Sequence, residues 1–338
     1  MTYPNPTVEN VLPRLLEWLE AGHRVCLATL YHSYGTSPRP LGSQMAISED
    51  GQWFGYLSGG CAEQAIASEG VAAIKGARNR SVRYGVGSPY LDIHLPCGAG
   101  IDVWFDQAID KSIIESAIEK VESRNLVGIE SRTSLESSTI SLVSQMVEDL
   151  QENSFRRWYT PVRRLYIIGA GPSVASLAAL ASEADYAVEV LTPDEQTYNE
   201  AKQHTERTAV LQNHSQIEAL TTDPWTSVVL MFHEHERETE ILQTFLNTDV
   251  AYIGALGSVR THSIRLDLLK GAGVSAKQCA RIHGPVGLKI QAKTPTEIAI
   301  SVLAELTLEF QTQAAELLDW GGGDLHLESA LEVKESNG

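Results

Sequence analysis

The sequence predicts an α/β protein in two parts, a mixed α+β first half and a second half in which helices alternate with the strands of a parallel sheet. Three observations support this fold class. Helical periodicity at the start gives way to short apolar strands with a hairpin signal between two of them. In the second half, apolar runs alternate with helical patterns. A glycine-rich turn joins the first of those runs to a helix.

The first half begins with apolar residues at helical spacing over residues 8–19, which predicts an amphipathic helix that ends near Gly22. Residues 25–31 form the apolar run of a buried strand. Residues 44–57 predict two strands joined at an Asp-Gly pair, because both turn residues tolerate positive φ. The other elements predicted in this half are a helix over 62–74 and strands over 81–84 and 101–105.

Residues 111–159 show a helical pattern around 114–121 and a polar, serine-rich run over 132–144. We place the domain boundary near Pro161, which gives an N-terminal domain over 1–158 and a C-terminal domain over 161–313. Residues 320–338 are rich in glycine and polar residues, and we expect a flexible tail there.

In the second half, predicted strands alternate with predicted helices from the start. Near its end, Thr294 and Glu297 form a capping box pattern with Pro295 at the first helical position, which predicts the start of a long helix. The remaining predicted elements are strands over 165–168, 188–191, 228–232 and 251–253, a helix through Leu177 and Leu180, and a helix after Glu236.

The turn at Gly169-Ala170-Gly171 follows a strand and begins a helix, which is the context that a dinucleotide-binding turn requires. Its glycines let backbone N–H groups approach a phosphate at the helix start. Two details weigh against NAD, since Val174 occupies the third small position and Thr192-Pro193 stand where an acidic residue would hold the ribose. Asp194 comes only after that proline. A Rossmann-like domain that binds no dinucleotide, or binds another phosphate-bearing ligand, remains an equal alternative.

Two turns of the first half also suit an anion. Ser37 and Arg39 lie in a GTSPRP turn, while Gly59, Gly60 and Cys61 lie in an SGGC turn before a predicted helix. Small residues and hydroxyls free backbone N–H groups at such turns, and a thiol at a helix start should have a lowered pKa.

The four cysteines include no CxxC pair, so we expect free thiols rather than a disulfide framework or a zinc knuckle. Cys61 and Cys97 lie in glycine-rich turns, which favours a functional interpretation. Cys26 and Cys279 are expected to be buried core residues. Soft sulfur ligands from Cys61 and Cys97 would suit a thiolate-rich metal cofactor.

The formal net charge of −17 argues against nucleic-acid binding, which needs a clustered basic face. No stretch approaches the roughly 20 apolar residues needed to cross a bilayer, and no signal segment opens the chain, so a cytoplasmic protein without a membrane partner is expected. Proteins and small molecules are the expected partners. A homodimer is expected because symmetric dimers are the commonest assembly.

Five segments together resemble the XdhC/CoxI family, in the family's order and over most of the chain. They read GTSPRPLGSQMAI, DGQWFGYLSGGCAEQAIA, LYIIGAGPSVASLAALA, AYIGALGSVRT and RIHGPVGLKIQAKTPTEIAISVLAEL.

The resemblance implies a Rossmann-like second domain and an accessory protein, rather than a catalyst, that binds the molybdenum cofactor (molybdopterin). Such a protein keeps the cofactor while a terminal sulfur is added and passes it to an apo-enzyme of the xanthine dehydrogenase type. A cysteine desulfurase would be a further partner. The resemblance also implies cofactor contacts at His233, Gly257 and Ser258. The thiol chemistry adds the expectation that the glycine turns hold the pterin phosphate and that the molybdenum lies near its metal ligand Cys61, with Cys97 as a further candidate.

Two segments depart from the family pattern. The CGG turn reads Cys97-Gly98-Ala99, and the segment after the fourth strand of the second half has Phe232 in place of a hydroxyl residue and Glu234 as a longer polar group. His233, His235 and Glu238 could bind a metal, but alternate residues of a strand point to opposite faces, so a histidine pair without metal is favoured.

The leading hypothesis is therefore a cofactor chaperone. The alternatives are an NAD(P)-dependent oxidoreductase that uses the Gly169 turn and a scaffold protein that has lost its ligand.

Overall fold

A computed structural model of the chain describes residues 10–35, 37, 39–58, 60, 62–88, 100–133, 140–143, 154–232 and 238–317. The chain divides into two compact units, one up to Thr160 and one over Pro161–Leu317. Among the described residues, no helix combines the length and the apolar character that a bilayer crossing requires.

The first unit is built mainly from antiparallel strands. Its elements are α1 (Leu12–Glu20), β1 (Val25–Tyr34), β2 (Gln44–Ser48), β3 (Trp53–Gly55), α2 (Glu63–Gly76), β4 (Arg80–Gly85), β5 (Gly100–Asp106), α3 (Lys111–Glu122), β6 (Val127–Arg132), β7 (Ile140–Val143) and β8 (Ser154–Tyr159).

Five of these strands form one antiparallel sheet in the order β3-β2-β1-β5-β4. The central strand β1 is buried on both faces: Cys26, Ala28 and Leu30 pack into the core with α2, while Val25 and Leu27 pack into a second core with α1 and α3. The hairpin predicted between β2 and β3 is confirmed, and Gly51 in its turn has a φ of 84°.

A second antiparallel sheet has the order β7-β6-β8, and the sequence patterns predicted none of its strands. The helix expected around 114–121 is confirmed as α3. β8 was missed because two adjacent arginines interrupt its apolar pattern. Arg156 is nevertheless only 7% exposed, because its guanidinium pairs with Glu130 on β6 at 2.9 Å.

The second unit alternates strands and helices throughout. Its elements are β9 (Arg164–Gly169), α4 (Pro172–Glu183), β10 (Ala187–Thr192), α5 (Glu195–Ala201), β11 (Thr208–Val210), α6 (Ser215–Glu218), β12 (Thr226–Met231), α7 (Glu238–Leu246), β13 (Tyr252–Ala255), α8 (Val259–Gly271), α9 (Ala276–Cys279), β14 (Ile282–His283) and α10 (Pro295–Leu317).

The six strands form one parallel sheet in the order β11-β10-β9-β12-β13-β14. Numbered within the unit, this is 3-2-1-4-5-6, the order of Rossmann dinucleotide-binding domains, and it confirms the predicted fold class. The predicted capping box is also confirmed: the Thr294 amide donates to Glu297 Oε2 at 2.9 Å, and the Glu297 amide donates to Thr294 Oγ1 at 3.3 Å. The helix continues to Leu317.

The two cysteines expected in the core are buried with free thiols, as predicted. Burial raises the pKa of Cys26 well above its ordinary value, and the nearby carboxylate of Asp106 adds to the effect. Burial in the core thus favours the neutral thiol of Cys26 over the thiolate.

Candidate functional site

One edge of the parallel sheet brings together several residues singled out by the sequence. β9, β12 and β13 are neighbours, so the turns that follow them lie side by side. Gly169 and Gly171 lie at the end of β9, while Gly257 and Ser258 follow β13. In open α/β sheets, ligands bind at this carboxyl edge, where the strand order reverses. Here the reversal falls between β9 and β12.

Two backbone amides of the Gly169 turn already donate hydrogen bonds within the protein. The Ala170 amide donates to the Met231 carbonyl at 3.1 Å, and the Gly171 amide donates to Thr197 Oγ1 at 2.9 Å. Pro172, at the first position of α4, has no N–H. The first free amide of α4 is therefore that of Ser173, since a helix cannot satisfy its own first N–H groups. This turn offers a phosphate fewer donors than its sequence suggests.

Asp194 holds the Thr197 side chain that accepts from the Gly171 amide. Its Oδ2 accepts from both the amide and the hydroxyl of Thr197, each at 2.7 Å, and these two bonds lower the pKa of Asp194, the hydroxyl contributing most. Asp194 is thus the N-cap of α5. It does not bend back to replace the missing ribose-binding acid.

The turn after β13 is more open to an anion. Ser258 is the N-cap of α8, and its hydroxyl accepts from the Thr261 amide at 3.1 Å. The first turn of α8 contains Arg260 and no acidic residue. The amides of Val259 and Arg260 precede the capped one, so they face outward from the helix start, where the helix dipole favours negative charge. Of the predicted turns in this unit, this one best retains the features of a phosphate site.

A buried ion pair lies beneath that turn. The side chains of Arg265 and Glu238 are each 1% exposed and approach to 3.1 Å. Arg265 also donates to the Leu256 carbonyl at 2.7 Å, which ties the end of β13 to the start of α7. Glu238 is therefore engaged by an arginine, whereas the sequence had raised it as a partner for His233 and His235 in a metal site.

In the first unit, the turn at Ser37 and Arg39 is stabilised locally. The Ser37 hydroxyl donates to the Arg39 carbonyl at 2.6 Å. The Arg39 Nε atom is buried and has no hydrogen-bond partner among the described residues. A buried donor without an acceptor costs free energy, so Arg39 is suited to an oxygen acceptor from outside this turn.

The SGGC turn already contains an anion, the carboxylate of Glu63, which is only 3% exposed. The amides of Leu57, Ser58, Gly60 and Ala62 donate to it at 3.1, 2.8, 2.8 and 3.2 Å, and the Ser58 hydroxyl donates at 2.6 Å. Burial acts to raise the pKa of Glu63, but the bonds from Ser58 and the backbone outweigh it, so the net pKa is lowered. The Gly60 amide is thus used internally rather than offered to a ligand.

Four of the predicted site residues lie outside the described residues: Gly59, Cys61, Cys97 and His233. Within the described part of the chain, no group of three or more His, Cys, Asp or Glu side chains is arranged to hold a metal ion. Sequence reasoning missed Glu63 and Thr197. The available signal was an acid at the first position of a helix in one case, and a hydroxyl three residues after a capping Asp in the other.

Comparison with known families gives two matches. The model of the XdhC Rossmann domain matches residues 165–306, and the model of the XdhC and CoxI family matches residues 18–85.

Individual relatives extend over nearly the whole chain. A protein of Escherichia coli K12 called molybdenum cofactor insertion chaperone PaoD is 33% identical over 296 residues, which cover 88% of this chain and 86% of the relative. A Bacillus subtilis 168 protein, named as a probable xanthine dehydrogenase subunit, is 25% identical, over 85% of this chain and 94% of the relative. A crystal structure described as a xanthine dehydrogenase from Bacillus halodurans has the same fold, with a TM-score of 0.72, 23% identity, and coverage of 90% and 97%.

Proposed function

The chain belongs to the XdhC and CoxI family, and from that membership we propose that it is an accessory protein that binds the molybdenum cofactor and delivers it to a molybdoenzyme. The resemblance drawn from the five sequence segments is thereby confirmed. The observation that carries the proposal is the 33% identity, over 88% of this chain, to a relative named as a molybdenum cofactor insertion chaperone.

The chemistry of the described residues supports binding of this cargo. Its phosphate suits the start of α8, where Gly257 and Ser258 precede uncapped amides and Arg260. The Arg39 Nε atom, which has no hydrogen-bond partner among the described residues, would offer a charged donor to a cofactor oxygen. Cys61, which lies outside the described residues, would supply a soft sulfur ligand to molybdenum.

The proposed recipient is an apo-enzyme of the xanthine dehydrogenase type. We place sulfuration of the bound cofactor before delivery, with a cysteine desulfurase as the sulfur donor, and a homodimer as the working assembly. The acidic surface of a chain with net charge −17 would favour basic patches on these partners.

The first prediction concerns the thiol. Cys61→Ala should reduce the molybdenum that copurifies with the chain by about tenfold or more, because a soft ligand is lost. The measurement is metal content and pterin fluorescence after purification from a host that makes the cofactor. Cys279→Ala is the matched control, since it removes a buried thiol of the second unit. Equal molybdenum in the Cys61 variant and the parent would show that the thiol is not a ligand.

The alternative of an NAD(P)-dependent oxidoreductase has one structural argument in its favour, the 3-2-1-4-5-6 strand order. Two contacts weigh against it. The Gly171 amide is engaged by Thr197, and the acid nearest to the end of β10, Asp194, caps α5.

The second prediction follows from those contacts: NAD and NADPH should bind more weakly than the low micromolar range. The missing ribose hydrogen bonds to a charged acceptor are worth roughly 1.5–3 kcal/mol each. Calorimetric titration of both nucleotides into ligand-free chain measures this directly. Low micromolar or tighter binding would favour the oxidoreductase instead.

A further inference from the structure

Both oxygens of the Glu63 carboxylate are saturated by the turn that precedes α2. Oε1 accepts from the amides of Leu57 and Ser58, and Oε2 accepts from the Ser58 hydroxyl and the amides of Gly60 and Ala62. A carboxylate has about four lone-pair sites, so five donors leave no acceptor capacity unused. The turn is therefore built around this one side chain.

The opposite side of the same turn is open with respect to the described residues. Gly60 has a φ of 116°, and a Cβ added there would meet none of their atoms within 4 Å. The Gly60 amide donates inward to Glu63. A ligand can thus approach this backbone closely, but it finds the described amides of Ser58, Gly60 and Ala62 already engaged. These three amides therefore do not form a nest of N–H groups for an external anion.

Gly60 and Ala62 are the chain neighbours of Cys61. The Gly60 amide donates to Glu63 Oε2 at 2.8 Å, and the Ala62 amide is shared between Ser58 Oγ at 2.8 Å and Glu63 Oε2 at 3.2 Å. The Ser58 hydroxyl in turn donates to Glu63 at 2.6 Å. We propose that Glu63 is a positioning residue, which holds the backbone at Gly60 and Ala62, the two neighbours of Cys61, and that cofactor binding by the Cys61 thiol depends on this support. This inference rests on the proposed function. It adds a residue that contacts no cargo and acts through Cys61.

Pre-organisation is the physical reason for such an arrangement. A ligand held by rigid neighbours binds a metal without the loss of conformational freedom that a loose turn would suffer on binding. Glutamine at position 63 has one oxygen in place of two and turns an NH2 group toward backbone donors. Glu63→Gln should therefore release part of the turn while leaving the rest of α2 in place.

The test compares Glu63→Gln with Ile74→Ala in the full chain. Ile74 is a core residue, 2% exposed, near the other end of α2, so its truncation destabilises the same helix without touching the turn. Two readouts need no cofactor. They are hydrogen exchange of the amides from Leu57 to Ala62, and the rate at which iodoacetamide alkylates Cys61, both followed by peptide mass spectrometry.

We expect exchange at these amides to accelerate about tenfold or more in Glu63→Gln, with faster alkylation of Cys61, and neither change in Ile74→Ala. Glu63→Asp should restore part of the protection because it keeps the charge. If Glu63→Gln does not fold, Ser58→Ala removes one donor and serves in its place. Equal exchange and alkylation in the Glu63 and Ile74 variants would overturn the proposal.

A third readout links the turn to the cofactor. Glu63→Gln should lower molybdenum retention in the parent but cause no further loss in a Cys61→Ala background, because it acts through the thiol. Additive losses would show that Glu63 acts independently of Cys61 and would contradict the proposal. If the parent carries no molybdenum, the proposed function fails, while exchange and alkylation still decide the role of Glu63.

Discussion

Replacing Arg265 with methionine is expected to destabilise the second unit by about 3–5 kcal/mol, because it leaves the Glu238 carboxylate buried without its partner. Both side chains are 1% exposed, so water cannot compensate for the lost charge. The change also removes the donor to the Leu256 carbonyl, which lies just before the Gly257-Ser258 turn. Hydrogen exchange of β13 and α8, together with urea unfolding, measures the loss.

The double variant Arg265→Met with Glu238→Gln is the control for this result. It removes the uncompensated charge, so much of the lost stability should return even though the ion pair is absent. A single Arg265→Met change with no more effect than an ordinary surface substitution would contradict the buried pair. So would a double variant that is no more stable than the single one.

Replacing Gly169 with alanine should cost about 3 kcal/mol or more, because the new side chain meets the backbone of the neighbouring strand. A Cβ at this position would lie 2.2 Å from the Met231 carbonyl oxygen and 2.4 Å from its carbon. β9 and β12 must separate to admit it, at the point where the strand order reverses. The melting temperature of the full chain and exchange of the β12 amides are the measurements.

Gly271→Ala is the matched control in the same unit, since an added Cβ there meets nothing within 4 Å. Alanine also favours the helix, so this variant should stay within about 1 kcal/mol of the parent. Similar melting temperatures for the Gly169 and Gly271 variants would show that the β9 turn does not need glycine for close approach.

The second unit was predictable because its strands are buried on both faces and read as apolar runs. The strand over 228–232 was recognised from its valines and leucine, and the structure has β12 at Thr226–Met231. Short strands such as β11 and β14 contain too few residues to show a hydrophobic periodicity, so the sequence did not predict them. The second sheet of the first unit could not be predicted from local sequence patterns. Arg156 and Glu130 are charged residues that form an ion pair between β8 and β6, and such a pairing between distant residues leaves no local pattern.

The candidate site was predictable only in part, for a physical reason that is the same in both units. Glycine-rich turns before helices were interpreted as sites for an external anion. In the structure, Glu63 fills one such turn and Thr197, held by Asp194, closes the other. Sequence spacing indicates which backbone amides of a turn lack a backbone acceptor. It does not show which side chain of the protein accepts hydrogen bonds from them. Three-dimensional contacts were needed to identify the turn at Ser258 as the more open one.

Delivery of the cofactor to a molybdoenzyme can be followed as transfer of molybdenum between two purified proteins. The full chain, purified with its cofactor, is mixed with the apo-form of a xanthine-dehydrogenase-type enzyme, the two proteins are separated, and molybdenum is measured in each. We expect molybdenum to leave the chain and to appear in the enzyme in matching amounts, with less transferred from the Cys61→Ala variant. Molybdenum that remains on the chain, or a chain that never carries it, would show that the chain does not deliver the cofactor.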